Sequence, residues 1–394
     1  MATAVKAGSL LVHDATLLDA HGRVPDAWLR TEGDRIAARG TGDGWRAHVD
    51  VAQTVVDAAG ATLTPGFIDI HQHGGDGGSY DSDARARALA FHRSHGTTRT
   101  LLSLVTAPLH DLEHALGAIA RLARTDPLVL GSHLEGPFLA TGRRGAHDPA
   151  ELTSPTPEAI ERLLAAADGT LRMVTLAPEL PGAEIAQRRL REAGVLVAIG
   201  HTEADYDLAR SAFDRGARVL THAFNAMPAI DHRAPGPVIA AADHESAVLE
   251  LILDGVHVHP AVAAALFRLA PGRVALITDA MAAAGAPDGD YRLGGMQVQV
   301  AGGIARLAET GSLAGSTLTQ DVALRHAVCE ARIAPAEAVR ALTLTPARLL
   351  GIDDLGLLKP GNRADLVLLD EDWRVKLVVA DGAIQPASVG EESV

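Results

Sequence analysis

From about residue 60 the chain repeats one rhythm, a short apolar run of strand character, a loop, and then a longer amphipathic stretch. Eight such runs follow one another: TLTPGFIDI, TRTLLSLV from Thr98, PLVLGSHL from Pro127, LRMVTLA from Leu171, GVLVAIG from Gly194, ARVLTHA from Ala217, AVLELILDG from Ala247 and RVALITDA from Arg273. The stretches between them, such as LHDLEHALGAIARLART, TPEAIERLLAAA and YDLARSAFDRGA, have helical periodicity, and several end in glycine or a basic last turn. Strand and helix alternating eight times over roughly 280 residues predicts an α/β fold closed as a parallel (β/α)8 TIM barrel. An open doubly wound sheet usually shows a glycine-rich phosphate loop after its first strand, and neither GxGxxG nor GxxxxGK[ST] occurs.

Both ends have a different texture. Residues 1 to about 60 read as short strands with turns, and strand patterning returns from about 355 in LGLLKPGNRADLVLLDEDWRVKLVVADG. These segments predict a small β-sandwich domain of residues 1–60 and 355–394, beside a catalytic barrel of residues 61–354. The glycine-rich stretch DGDYRLGGMQVQVAGGIARLAETGSLAGS after the eighth run reads as a hairpin or lid piece.

Composition narrows the function. Forty-nine acidic against 35 basic residues give a net charge of −14, which argues against a nucleic-acid surface. No apolar stretch has transmembrane length and the start lacks the pattern of a secretory signal, so no membrane association and a cytoplasmic location are expected. The three lysines are Lys6, Lys359 and Lys376. A mechanism that needs a central lysine, as Schiff base, phosphate-loop ligand or carbamylated metal bridge, is thereby excluded. Cys329 is the single cysteine, which rules out an internal disulfide or a thiolate cluster; its setting in ALRHAVCEARI reads as a small buried hydrophobe.

Barrel active sites form at the C-terminal ends of the strands, so the residues closing each run carry the chemistry. The first run ends in His71 and His73, which on a strand point the same way. The third ends in Glu135, the fifth in His201, the sixth in His222 and the eighth in Asp279. Four imidazoles and two carboxylates at one mouth suit one or two divalent metals. Such an ion polarises a carbonyl and lowers the pKa of water, so hydrolysis is the natural reaction. Asp279, beside the water so activated, is placed to take its proton and later pass it to a leaving amine.

The motifs TPGFIDIHQHGG, HLEGPF with RRGAH downstream, IGHTEAD, THAFNAMP, ITDAMAAAG, GSLAGSTLT and PGNRADLVLLD together resemble the amidohydrolase superfamily and, within it, the N-acetylglucosamine-6-phosphate deacetylase family. The resemblance implies hydrolysis of the acetamide of a phosphorylated amino sugar in amino-sugar catabolism. It also implies that Glu135, His201 and His222 hold the principal metal and that His71 and His73 hold a second metal present in some members. Asp279 is the implied acid and base, and also touches metal, while His147 steadies the substrate carbonyl oxygen. Asn225, Ala226, His257 and Arg233 are implied phosphate contacts, with Arg233 supplied by the other subunit of a homodimer. Ala234 departs from the family, which commonly has an acid after that arginine. Zinc is the first choice of ion, one or two per chain, with Fe2+, Mn2+ or Co2+ as alternatives. Competing readings are another amidohydrolase, acting on N-acetylgalactosamine 6-phosphate or an N-acyl amino acid, and a barrel scaffold without chemistry.

Overall fold

The computed structural model describes residues 8–386. The eight apolar runs become eight strands: β1 Phe67–Asp69, β2 Thr97–Val105, β3 Val129–Glu135, β4 Leu171–Leu176, β5 Leu196–Ile199, β6 Val219–Leu220, β7 Val248–Ile252 and β8 Val274–Ile277. They hydrogen-bond in that sequential order in one sheet. The ladders are parallel, with Leu134 of β3 opposite both Leu104 of β2 and Val174 of β4. Such strands are covered on both faces, which is why they read as near-continuous apolar runs; Ala275, Leu276 and Ile277 of β8 have no exposed surface. Just beyond the strands, the Asp279 amide donates to the His71 carbonyl at 2.9 Å and ties the last strand's end to the first.

Seven helices fill the connections: α1 Arg85–Ser94, α2 Leu109–Ala123, α3 Pro157–Ala167, α4 Ala183–Glu192, α5 Tyr206–Asp214, α6 Gly236–Ala242 and α7 Pro260–Leu269. Their starts follow from local chemistry. Thr156 accepts from the Ala159 amide at the head of α3, where Pro157 takes the first position, and Asp205 accepts from the Leu208 amide at the head of α5.

One reading from sequence needs correcting at the first run. TLTPGFIDI is not one strand: Thr62–Pro65 pairs with Leu366–Leu369 and with Thr16–Leu17, and only Phe67–Asp69 enters the barrel sheet. The break falls at Gly66, where a Cβ would sit 2.2 Å from the Thr98 hydroxyl, so only glycine lets the chain pass from one sheet to the next.

Strands from the two ends share a single mixed sheet of eight strands, among them Leu10–Asp19, Gly22–Glu32, Leu366–Leu369 and Val375–Ala380. Alternate residues Leu10, Val12, Leu29, Leu63, Leu366 and Leu368 meet in one core, which requires the sheet to curl over itself. By contacts the chain divides into two compact units. One comprises the described residues up to Asp69, Ala90–Arg99 and those from Thr319 on; the other is Ile70–Leu89 with Thr100–Leu318. Every candidate site residue falls in the second.

The glycine-rich insertion is a three-stranded antiparallel sheet, Gly289–Leu293, Met296–Ala301 and Ile304–Leu307, whose Val298, Val300 and Leu307 share one core with Met281 and Ala283. Cys329 is exposed, contrary to the expectation of a buried hydrophobe. The helix Gln320–Arg325 widens into a π turn over His326–Glu330, and the extra residue in that turn changes the face on which Cys329 emerges. Among the described residues no helix is long and apolar enough to cross a membrane.

Candidate active site

Glu135 is the last residue of β3, and His71, His73, His201, His222 and Asp279 follow the ends of β1, β5, β6 and β8. All six are buried. To turn inward at the strand ends the chain adopts left-handed backbone at His201 (φ 48°), His222 (φ 25°) and Asp279 (φ 50°). For residues other than glycine such backbone costs about 1–3 kcal/mol each and persists only where the surroundings enforce it. Here the enforcement is visible: Ser316 donates its amide to the Asp279 carbonyl at 2.7 Å, and the His201 ring is bonded to the Arg143 carbonyl at 2.8 Å.

Glu135 joins two groups of ligand atoms. Its Oε1 lies 3.1 Å from His201 Nε2 and 3.0 Å from His222 Nε2, and those two nitrogens are 3.0 Å apart. Its Oε2 lies 3.2 Å from His73 Nε2, which in turn is 3.2 Å from His71 Nε2 and 3.1 Å from Asp279 Oδ1.

The hydrogen bonds behind the rings decide what the front atoms are. His201 Nδ1 faces a carbonyl and must donate, so the neutral ring presents a lone pair at Nε2. His71 Nδ1 is 3.0 Å from Glu250 Oε2 and donates likewise. Lone pairs and carboxylate oxygens this close repel unless a cation or proton stands among them. Ligands held at about 2.0–2.2 Å around one ion stand roughly 3.3 Å from one another, close to the spacings found. The donor set, all nitrogen and oxygen, fits a divalent cation such as zinc, and equally iron, manganese or cobalt.

Burial and charge pull in opposite directions across the cluster. Burial disfavours the Glu135 carboxylate, but His71, His147, His201 and His222 outweigh it and hold its pKa well below the usual range. Burial pushes His201 down to about 4, leaving a neutral ligand at pH 7. For His73 burial is overcome by Asp279 and Glu135, and its pKa is raised to about 9. Without metal, His73 therefore keeps a proton at neutral pH that an incoming ion must displace. The apparent affinity of metal-free protein for zinc is expected to climb with pH, up to about tenfold per unit, and level off near 9. Dissociation constants measured at about pH 6, 7, 8 and 9 check this, and a flat series would contradict it.

His147 is buried with the cluster. Its Nδ1 is 3.3 Å from the Thr106 amide and 2.8 Å from the Thr106 hydroxyl. An amide can only donate, so the ring proton sits on Nε2, which is 3.5 Å from Glu135 Oε2.

The proposed phosphate contacts are less uniform. Asn225 is half-buried and donates to the carbonyls of His222 and Ala223 at 3.3 Å, while the Ala226 carbonyl accepts from the Thr202 amide at 3.1 Å. His257 Nδ1 is paired with Asp254 at 2.7 Å. Arg233 lies in an exposed turn closed by reciprocal Asp231 and Ala234 backbone bonds, and its guanidinium meets His232 rather than any of the six buried groups.

Three residues escaped the sequence reading: Glu250, Thr106 and Asp254. Only Glu250 left a signal there, as the lone acid inside the apolar run AVLELIL. A cavity of about 660 Å³ opens beside His73, Ser103 and Thr106, walled by Leu112 and by Leu293 and Gly294 of the insertion.

A parallel barrel with buried imidazoles and carboxylates gathered at its strand ends defines the class of metal-assisted barrel hydrolases. The pattern of the Amidohydrolase family matches residues 62–385, and the chain belongs to that family. The N-acetylgalactosamine-6-phosphate deacetylase of Escherichia coli O157:H7 is 42% identical over 91% of this chain and 96% of its own. The N-acetylglucosamine-6-phosphate deacetylase of Bos taurus is 36% identical, covering 85% of this chain and 86% of its own. Among solved structures, a substituted N-acetyl-D-glucosamine-6-phosphate deacetylase of Mycobacterium smegmatis, in complex with N-acetyl-D-glucosamine-6-phosphate, superposes with a TM-score of 0.90 at 43% identity. It covers 96% of this chain and 99% of its own.

Proposed function

We propose that the protein hydrolyses the acetamide of N-acetyl-D-glucosamine 6-phosphate to acetate and D-glucosamine 6-phosphate, as a cytoplasmic step of amino-sugar catabolism. The observation that carries this reading is the buried cluster of His71, His73, Glu135, His201, His222 and Asp279 in a chain of this family. Glu135, His201 and His222 would hold one divalent ion, zinc by first choice, and His71 and His73 would hold a second where two are bound. A bound ion polarises the amide carbonyl and makes water acidic enough to attack near neutral pH.

The chain's own groups supply the rest. Burial disfavours the Asp279 charge, but His71 and His73 outweigh it, so its pKa is lowered and the carboxylate is ionised at neutral pH. It takes the proton of the attacking water and returns it to the nitrogen as the C–N bond breaks. His147 donates its Nε2 proton to the carbonyl oxygen as that oxygen gains charge. His147→Ala should lower kcat by about 10²–10³. An effect confined to KM would make His147 a binding residue instead.

Asn225, Ala226 and His257 contact the phosphate, and Arg233 reaches it from the partner in a homodimer. The exposed position of Arg233 supports delivery to another chain, and a guanidinium matches phosphate oxygens bidentately. Arg233→Ala should raise KM for the phosphorylated sugar and leave unphosphorylated N-acetylglucosamine unaffected; equal losses on both would contradict the assignment.

The 42% identity to the Escherichia coli relative favours one alternative, N-acetylgalactosamine 6-phosphate. Comparing acetate release from the two sugar phosphates and from unphosphorylated N-acetylglucosamine tests the substrate. The glucosamine phosphate should give the highest kcat/KM, and preference for galactosamine would reassign it.

A further inference from the structure

Glu250 stands in the middle of β7 with no exposed surface, in a strand otherwise apolar. Burying a carboxylate is costly unless hydrogen bonds and opposite charge meet it. Its Oε2 is 3.0 Å from His71 Nδ1 and 3.3 Å from the His222 amide. Its Oε1 is buried with no hydrogen-bond partner among the described residues. Resting on the metal-dependent reading above, we propose that Glu250 is the positioning residue that completes the second metal site: it locks His71 with its proton on Nδ1 and its Nε2 lone pair beside His73 and Asp279, so that the chain holds two ions rather than one.

Charge supports two ions. Three buried carboxylates, Glu135, Glu250 and Asp279, touch the imidazoles. One dication would leave a net charge of about −1 beside a carbonyl oxygen that must itself become negative, whereas two leave about +1, which favours that oxyanion. Glu250 adds the third negative charge and puts it behind His71, where it strengthens the imidazole as a ligand.

The geometry also predicts an unequal effect. The Glu250 carboxylate faces His71 Nδ1 at 3.0 Å, so losing it removes the charge that holds the ring proton on that nitrogen. The other pair depends on it less: His201 is fixed by the Arg143 carbonyl, and besides the long 3.3 Å bond from the His222 amide to the Glu250 carboxylate, the turn after His222 is held by the Ala223 amide donating to the Glu250 main-chain carbonyl at 2.8 Å. A substitution at Glu250 keeps that backbone bond.

The test is a calorimetric titration of metal-free wild type, Glu250→Gln and Glu250→Leu with Zn2+ alone, with imidazole ¹⁵N spectra of each. Wild type should take up two ions. Glu250→Gln keeps an acceptor without the charge and should weaken one ion about tenfold, Glu250→Leu about 100-fold, while the other ion binds as before. His71 Nδ1 should be protonated in wild type and lose that state in Glu250→Leu, a change that a space-filling role would not produce. The proposal is overturned if wild type binds one ion, if both ions weaken together, or if the variants match wild type. Should Glu250→Leu fail to fold, Glu250→Gln decides by the same criteria. No sugar enters the titration, so its failure leaves amide hydrolysis standing. A two-ion protein that released no acetate would refute hydrolysis and leave this assignment intact.

Discussion

Asp279→Asn should fold, bind its ions and turn over about 10²–10⁴ times more slowly than wild type. The amide has nearly the carboxylate's shape and keeps an oxygen where Asp279 Oδ1 stands, 3.1 Å from His73 Nε2, but it cannot take a proton from water. The same residue must also protonate the departing nitrogen, so both halves of the reaction suffer and KM should change little. Steady-state kinetics on protein of verified metal content checks this. Wild-type turnover would remove Asp279 from the chemistry.

Glu135→Ala should be more severe, because one side chain serves both groups of ligands. Taking away one member of a buried charged set costs about 3–5 kcal/mol. Converted at about 1.4 kcal/mol per decade, that weakens ion binding on the order of 10²- to 10⁴-fold. Both ions should leave on dialysis and acetate release should fall to background. His71→Ala should differ in kind, losing one ion and keeping part of the activity, since His201, His222 and Glu135 remain. Elemental analysis alongside kinetics separates the two, and equal metal loss in both variants would contradict the division of the cluster.

The barrel was legible because its strands are covered on both faces, which leaves an apolar run for each of β1 to β8 that no surface strand would show. The cluster was legible for a related reason: fold geometry reserves the strand ends for chemistry, and each of the six residues stands at one. Periodicity, however, reports which way residues face and not whom they touch. Glu250 meets His71 across 179 residues and Thr106 meets His147 across 41, so neither contact leaves a trace in spacing. Gly66 illustrates the same blind spot, since its need for glycine comes from Thr98, a residue of the neighbouring strand. Cys329 failed for a local reason, a π turn that shifts the helical face by one residue. The tautomer of His147 belongs to neither category: it follows only once a donor, the Thr106 amide, is seen facing Nδ1.

The most direct test of metal-assisted amide hydrolysis at the strand ends is acetate release from N-acetylglucosamine 6-phosphate by one preparation, first stripped with a chelator and then given back zinc in steps. Acetate formation should be at background in the stripped protein and rise with the ions bound, one glucosamine 6-phosphate appearing per acetate. Undiminished release without metal, or none from protein whose sites are filled, would contradict it.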